Sequence, residues 1–194
     1  MESTVNLKKE ALKNGAIWGA INIVIFLVTW YIMPSLMSSY GYLAITVIIA
    51  ILLIVYFCTE MRKKAGGYWS FSEALWPIVG MFLMNMTIVF VFTIVFGKFI
   101  DPTYPVKMKE MSMESMEKMM ESIGGGDEAM MAEQMRNADE RFEKQFNPNF
   151  KEMIFQYGLA AVMYFVFALI FALIFKKNNP NPWGDPNDEN LKQA

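Results

Sequence analysis

Four long stretches of the sequence contain no charged residue, and this feature limits the fold more than any other. They cover residues 15–33, 41–58, 75–97 and 153–175 and are 19, 18, 23 and 23 residues long. A helix needs about 20 apolar residues to cross roughly 30 Å of hydrocarbon, and lipid offers the backbone no hydrogen-bond partner. Because none of the stretches alternates between polar and apolar residues, helices are favoured over barrel strands. The sequence therefore predicts four transmembrane helices.

Composition excludes several classes of protein. Hydrophobic residues make up 55% of the chain and charged residues 19%, and the net charge of −2 provides no basic field for nucleic acid. Histidine is absent and Cys58 is the single cysteine, which removes the commonest general base, the commonest zinc ligand and any intramolecular disulfide. No nucleophile–base pair and no phosphate-binding glycine motif is recognisable. The sequence predicts neither an enzyme nor a cofactor.

The distribution of lysine and arginine predicts the orientation. Basic residues cluster in the N-terminal tail (1–14), in the connector 59–74 and after the fourth stretch, whereas the turn 34–40 has none. The positive-inside rule then predicts that both termini and the connector 59–74 are cytoplasmic. Three lysines also precede the first stretch, as in a secretory signal. Its apolar core is too long for one and no small-residue cleavage site follows, so we expect an uncleaved span.

A helix start is recognisable in the connector 59–74. Ser70 is followed three residues later by Glu73, which is the pattern of a capping box in which each side chain binds a free backbone N–H group. Glu73 could instead be a proton or cation site at the membrane edge, but the capped helix start is the favoured interpretation. Pro77, a turn later, predicts a bend.

Three features of the sequence together resemble a known family. They are the stretch Gly-Gly-Tyr-Trp-Ser-Phe-Ser-Glu-Ala at residues 66–74, the four apolar stretches and the Asp101-Pro102 pair. Over about residues 8–177 the chain resembles an uncharacterised bacterial membrane family, numbered 4199 among domains of unknown function. The resemblance implies a location in the bacterial inner membrane. It implies no activity, cofactor or functional residue.

The connector between the third and fourth stretches is rich in methionine, with nine of the eighteen methionines between positions 108 and 135. On a helix over residues 105–122, one arc collects the methionines and the other the glutamates. Three glycines at 124–126 predict a break, and Asp127 predicts the N-cap of a second helix. The apolar arc comprises Met108, Met111, Met113, Met116, Met119 and Met120, and the stripe on the second helix comprises Met131, Met135, Ala138, Phe142 and Phe146.

The methionine face has two interpretations. Thioethers are soft ligands, so Met113, Met116 and Met120 are candidates for a Cu(I) site. Methionine is also a flexible apolar residue that packs irregular gaps and serves adaptable binding surfaces, and this interpretation better explains its separation from the charges. The face would then pack on the second helix, the membrane surface, a second copy or a partner. The predicted interaction surface comprises Met108, Met111, Met116, Met119, Met131, Met135 and Phe142.

Few polar side chains lie inside the apolar stretches, and none of them is an ionisable carboxylate or base, which disfavours a proton-coupled transporter. Asn22 and Asn85 lie at similar depths in two helices that run in the same direction. We predict a structural hydrogen bond between their amides. Gly15 and Gly19 also provide a small-residue face for close helix packing, within the chain or between copies.

These observations predict an all-α protein with four transmembrane helices and an external amphipathic helical hairpin between the third and fourth. Residues 15–99 hold the first three spans, 100–152 the hairpin and 153–177 the fourth span, between an N-tail (1–14) and a disordered C-tail (178–194). The predicted function is a non-enzymatic assembly component whose partners are the bilayer and a second copy or another membrane protein. The alternative is a carrier or channel for a small neutral solute or a soft metal ion.

Overall fold

The computed structural model describes residues 6–122 and 128–179. Within these residues the chain forms six α-helices: α1 (Leu7–Ile32), α2 (Tyr40–Lys64), α3 (Phe71–Val95), α4 (Tyr104–Ser122), α5 (Glu128–Phe146) and α6 (Phe150–Phe175). The helices α1, α2, α3 and α6 are long and apolar enough to cross a membrane. The prediction of an all-α fold with four such helices is confirmed. The glycine break, the Asp127 cap and most of the C-terminal tail lie outside the described residues.

The helices are longer than the uncharged stretches that predicted them. The first helix begins at Leu7, because the side chain of Asn6 accepts a hydrogen bond from the backbone N–H of Lys9. Residues 7–14, predicted as part of a tail, therefore form the first two turns of α1. The second helix likewise continues through its basic residues to Lys64. A helix need not end where the hydrocarbon ends, so the absence of charge marks its apolar part only.

The third helix, α3, lies at the centre of the bundle. It packs against α1 on one side and α6 on the other, whereas α2 makes few contacts with any helix. The buried residues of α2 (Ile54, Phe57, Cys58 and Met61) all lie in its second half. Most of its first half is exposed, as expected for a helix that faces lipid.

The closest helix contact is between α1 and α3. A Cβ atom added at Gly15 would lie 2.4 Å from the carbonyl oxygen of Met81, and one at Gly19 would lie 2.9 Å from Cγ2 of Ile88. Only glycine fits at the first position, so the small-residue face of α1 is used within the chain.

The two ends of the bundle differ, and we name them for what they carry. At the basic end, Lys64 of α2 pairs with Glu10 of α1 at 2.7 Å, and the backbones of Trp69 and Lys177 exchange two hydrogen bonds of 2.8 Å. Trp69 is wholly buried, although the aromatic pattern would place it at a membrane interface. At the opposite end, the hairpin end, α4 and α5 lie over the bundle.

Candidate functional site

The hairpin is joined to the bundle through Asp101. After α3 the chain makes a five-residue π-helical turn, Phe96–Ile100, and reaches this carboxylate. Asp101 accepts a hydrogen bond of 3.0 Å from Nε1 of Trp30 on α1 and another of 3.0 Å from the backbone N–H of Thr103. The Thr103 hydroxyl and then the Trp30 indole lower the pKa of Asp101 by donating to its charged form. One side chain thus links α1 to the start of α4.

An aromatic cluster surrounds this joint. Phe26 and Trp30 of α1 meet Phe96 and Tyr104, with ring centroids 5.0 Å apart for Phe26–Phe96 and 5.3 Å apart for Trp30–Tyr104. Met108 packs against the same cluster and is 8% exposed. Burial raises the pKa of the Tyr104 hydroxyl to about 12. Met108 therefore belongs to the attachment of α4 to the bundle, and it is not available as part of an exposed interaction surface.

The other contacts of the hairpin lie farther along its two helices. The Ser115 hydroxyl donates to the Ser38 hydroxyl at 2.9 Å, in the 3-10 turn Pro34–Ser38 between α1 and α2. The Tyr40 hydroxyl donates to the sulfur of Met119 at 2.7 Å. On the opposite side, the Gln156 amide of α6 donates to the backbone carbonyl of Lys144 at 2.8 Å. The hairpin thus contacts all four long helices or the turns that join them.

The two helices of the hairpin pack through their methionine-bearing faces. Met120 and Ala138 are buried, at 9% and 5% exposure. Apart from Met108, the residues of the predicted interaction surface are half-buried: Met111, Met116, Met119, Met131, Met135 and Phe142. The copper candidate Met113 is half-buried too. The methionine side chains, which lie on the uncharged faces of α4 and α5, therefore pack these two helices against each other and against the bundle.

A solvent-exposed edge of this interface carries a charge cluster. Lys109 of α4 lies 3.0 Å from Asp139 and 2.8 Å from Glu143 of α5. The hydrogen bond with Glu143, followed by that with Asp139, raises the pKa of Lys109, and Lys109 in turn lowers the pKa of Glu143. The lysine thus pairs with two acidic side chains of α5 across the contact between the two helices.

Two grooves follow the contact between α4 and α5. The larger, about 750 Å³, is lined by Met113 and by acidic residues that include Glu110, Glu114 and Glu117. The smaller, about 370 Å³, is lined by Met116, Gln134, Asn137, Ala138, Arg141 and Phe142. We name the smaller one the Met116 groove.

The three copper candidates do not line a common groove. Met113 lines the acidic groove, Met116 lines the other groove, and Met120 is buried. Within the described residues, no three cysteine, aspartate or glutamate side chains are placed to hold a metal ion.

The two asparagines predicted to meet inside the bundle lie opposite each other on α1 and α3. The Asn22 amide donates to the Asn85 carbonyl oxygen at 2.9 Å across the α1–α3 contact, and Asn85 is 2% exposed. At the basic end, the Ser70 hydroxyl accepts from the Glu73 backbone N–H, and the Glu73 carboxylate accepts from the Ser70 backbone N–H at 3.0 Å. Each of these groups is satisfied by its partner in the chain.

Sequence reasoning missed the joint between Trp30 and Asp101. Trp30 has the position of an interfacial anchor, and it is buried at 5% exposure instead. The available signal was the spacing of Phe26 and Trp30, which lie on one face of α1, together with the acidic residue directly after α3.

Comparison with protein families matches residues 13–177 to the family described as "Protein of unknown function (DUF4199)". Comparisons with curated proteins and with solved structures found no match. Because the family match covers most of the chain, the chain belongs to the DUF4199 family.

Proposed function

We propose that this DUF4199 protein, a multi-pass integral membrane protein of unknown process, is a non-enzymatic assembly component that binds a partner through the Met116 groove. The groove has an apolar lining of Met116, Ala138 and Phe142 and a rim of Gln134, Asn137 and Arg141. Binding sites for other proteins commonly combine an apolar pocket for one anchoring side chain with a polar rim. This groove is the single observation that carries the proposal.

The chemistry of the rim indicates the kind of partner. Arg141 is exposed and makes no ion pair within residues 6–122 and 128–179. Arginine is enriched at protein interfaces, where it pairs with carboxylates. The partner segment should therefore present one large apolar side chain next to an acidic one, either in another membrane protein or in a second copy of this chain.

The attachment of the hairpin supports the same role. The contacts of Asp101, Ser115 and Gln156 hold the hairpin on three sides of the bundle, so the groove is presented in a fixed orientation. Preorganisation lowers the entropy lost on binding.

A carrier for a small neutral solute receives less support. Such a protein needs polar groups that face a cavity, whereas Asn22 and Asn85 bind each other and the Thr87 hydroxyl lies 2.9 Å from the Tyr157 hydroxyl. A soft-metal carrier would need several thioethers at one point, and Met113 and Met116 line different grooves.

For the location we propose the bacterial inner membrane, with the basic end and both termini in the cytoplasm and the hairpin outside. The positive-inside rule supports this orientation, since Arg62, Lys63 and Lys64 end α2 at the basic end. Alkaline phosphatase fused after residue 122 should be active, and the same enzyme fused after residue 179 should be inactive. The reverse pattern would contradict the orientation.

The groove is tested by site-specific photocrosslinking in native membranes. A benzophenone amino acid at Asn137, on the rim, should give a discrete crosslinked product. The same group at Arg136, exposed on the same helix but outside the groove lining, should not. Arg141→Glu should abolish the product, and the matched charge reversal Arg136→Glu should leave it.

Each outcome decides the proposal. Equal products at both positions, or a product that is unaffected by Arg141→Glu, would mean that the groove is not the binding site. A product with twice the mass of the chain identifies a second copy as the partner, and any other discrete mass identifies a different protein.

A further inference from the structure

We propose that a further cavity, between α3, α6 and the base of the hairpin, binds one acyl chain of an anionic phospholipid, whose head group lies at Lys98. The cavity is a cleft of about 560 Å³. Pockets for small ligands typically measure roughly 300–1,000 Å³ and have mostly apolar walls with a few placed polar groups. We name it the α3–α6 cleft. The inference does not depend on whether the hairpin binds a partner.

The walls of the α3–α6 cleft are apolar over most of its length. Those from α3 include Met86, Val89, Phe90 and Ile94, and those from α6 include Met153 and Ala160. Both helices are in the set that can cross a membrane, so the cleft lies beside lipid. Water in an apolar cleft at this position makes few hydrogen bonds, whereas an acyl chain that enters from the bilayer exchanges one apolar environment for another.

The dimensions of the α3–α6 cleft fit a lipid chain. Its lining on α3 and the π-helical turn that follows extends from Met86 to Lys98, which are twelve positions apart. At a rise of about 1.5 Å per residue this is roughly 18 Å. The hydrocarbon core of a bilayer is about 30 Å thick, so the lining covers approximately one leaflet.

Polarity changes along the α3–α6 cleft in the order that a phospholipid requires. Polar side chains of Gln145, Asn147 and Gln156 join the lining at the hairpin end, where α5 meets α6. Lys98 lies at the same end and is the single charged residue of the described lining. This is the level at which head groups lie when the acyl chain extends toward the bilayer centre.

The charge of Lys98 selects the head group. Its side chain is exposed and makes no ion pair within the part of the chain that the structure describes. A lysine beside a membrane attracts an anionic lipid by about 1 kcal/mol, which is about fivefold in affinity. A cation at the mouth of an otherwise uncharged apolar cleft therefore favours an anionic phospholipid over a zwitterionic one.

The test measures lipid retention by native mass spectrometry of the full chain in a neutral detergent. The probes are palmitoyl-oleoyl phosphatidylglycerol and palmitoyl-oleoyl phosphatidylcholine, which share their acyl chains and differ in head-group charge. The wild-type protein should retain one phosphatidylglycerol about fivefold more strongly than one phosphatidylcholine. Lys98→Gln should remove this preference. The matched variant Lys151→Gln, an exposed lysine near the same end but outside the described lining, should keep it.

A second pair of variants tests the acyl-chain part of the cleft. Ala160→Phe places a ring in the cleft and should reduce the retention of both lipids. Val162→Phe changes a residue that is 60% exposed and lies outside the described lining, so it should not reduce retention. Equal effects of Lys98→Gln and Lys151→Gln would show general surface attraction and overturn the proposal. Unchanged retention by a folded Ala160→Phe would overturn it as well. If Ala160→Phe does not fold, the two lysine variants decide.

Discussion

Replacing Gly15 by alanine should separate α1 from α3. The added Cβ atom would lie 2.4 Å from the carbonyl oxygen of Met81 and 2.8 Å from Cβ of Met84. Ordinary contact begins near 3.4 Å, so the first of these distances is about 1 Å too short. Because the obstacle is backbone, a change of side-chain rotamer cannot relieve it. The helices must move apart instead.

The cost can be compared with known effects of overpacking. Adding a methyl group to a packed interface typically costs about 1–3 kcal/mol. A separation of about 1 Å that extended to Asn22 would also lengthen the 2.9 Å bond to Asn85 beyond hydrogen-bonding distance. Loss of such a bond adds about 0.6 kcal/mol on average in membrane proteins.

Gly158 on α6 provides the matched control, since a Cβ atom there meets no atom within 4 Å. Both substitutions gain helix propensity, by about 1 kcal/mol in soluble hosts, so the difference between them isolates the steric term. We expect the free energy of unfolding of Gly15→Ala to be about 1.5–3.5 kcal/mol lower than that of Gly158→Ala.

The assay is reversible unfolding by sodium dodecyl sulfate in mixed micelles, followed by circular dichroism. Gly19→Ala should have an intermediate effect, because the nearest atoms belong to the Ile88 side chain, which can adjust. Equal unfolding free energies for Gly15→Ala and Gly158→Ala would refute the close approach of α1 and α3.

Two further predictions concern polar contacts. In a double-mutant cycle, Asn22→Ala and Asn85→Ala should show a coupling of about 0.6–1.7 kcal/mol in the same assay, and purely additive effects would contradict a shared hydrogen bond. Trp30→Phe keeps a smaller aromatic ring and removes the N–H donor to Asp101, so hydrogen exchange of the α4 amides should become faster. An unchanged rate would show that this bond does not hold the hairpin. The pKa of Asp101 is lowered from 3.8 in the folded protein, so its contribution to stability is complete above that value and is lost as the pH falls through the lowered pKa. The difference in hydrogen exchange between the wild type and Asp101→Asn should therefore be present at about pH 5 and shrink toward about pH 3, whereas a constant difference would show that the charge is not responsible.

Hydrophobic periodicity and charge predicted much of the hairpin as well as the spans. The methionine arc on α4 and the stripe on α5 coincide with buried or half-buried positions. A helix has a fixed angular repeat, so its apolar residues form one face that packs away from water and its charged residues form another that stays in water. The same pattern could not show whether another helix of the chain, the membrane surface, a second copy or a partner would cover these faces. In the structure α4 and α5 cover each other, and Met108 is covered by Trp30 and its aromatic neighbours.

The residues of the Met116 groove were harder to predict from the sequence than the helix faces on which they lie. Met116 and Phe142 were expected on an interaction surface together with five other residues, yet only these two line the Met116 groove. Their sequence positions are 26 residues apart, and nothing in either helix alone fixes the register that brings them together. Lys109 interrupts the methionine arc in the sequence, and its position there does not indicate that it pairs with Asp139 and Glu143 of α5.

The sequence by itself indicated four helices long and apolar enough to cross a membrane, because uncharged stretches of 18 to 23 residues match the thickness of the hydrocarbon core. It also determined where one helix begins, since a capping box such as that of Ser70 and Glu73 is a local contact. The tertiary structure alone decided that α3 lies at the centre, that Asp101 joins the hairpin to α1 and that a cleft opens between α3 and α6. These features depend on contacts between residues far apart in the sequence, such as Trp30 and Asp101, which are 71 positions apart. Such contacts are selected by the packing of whole helices rather than by local pattern.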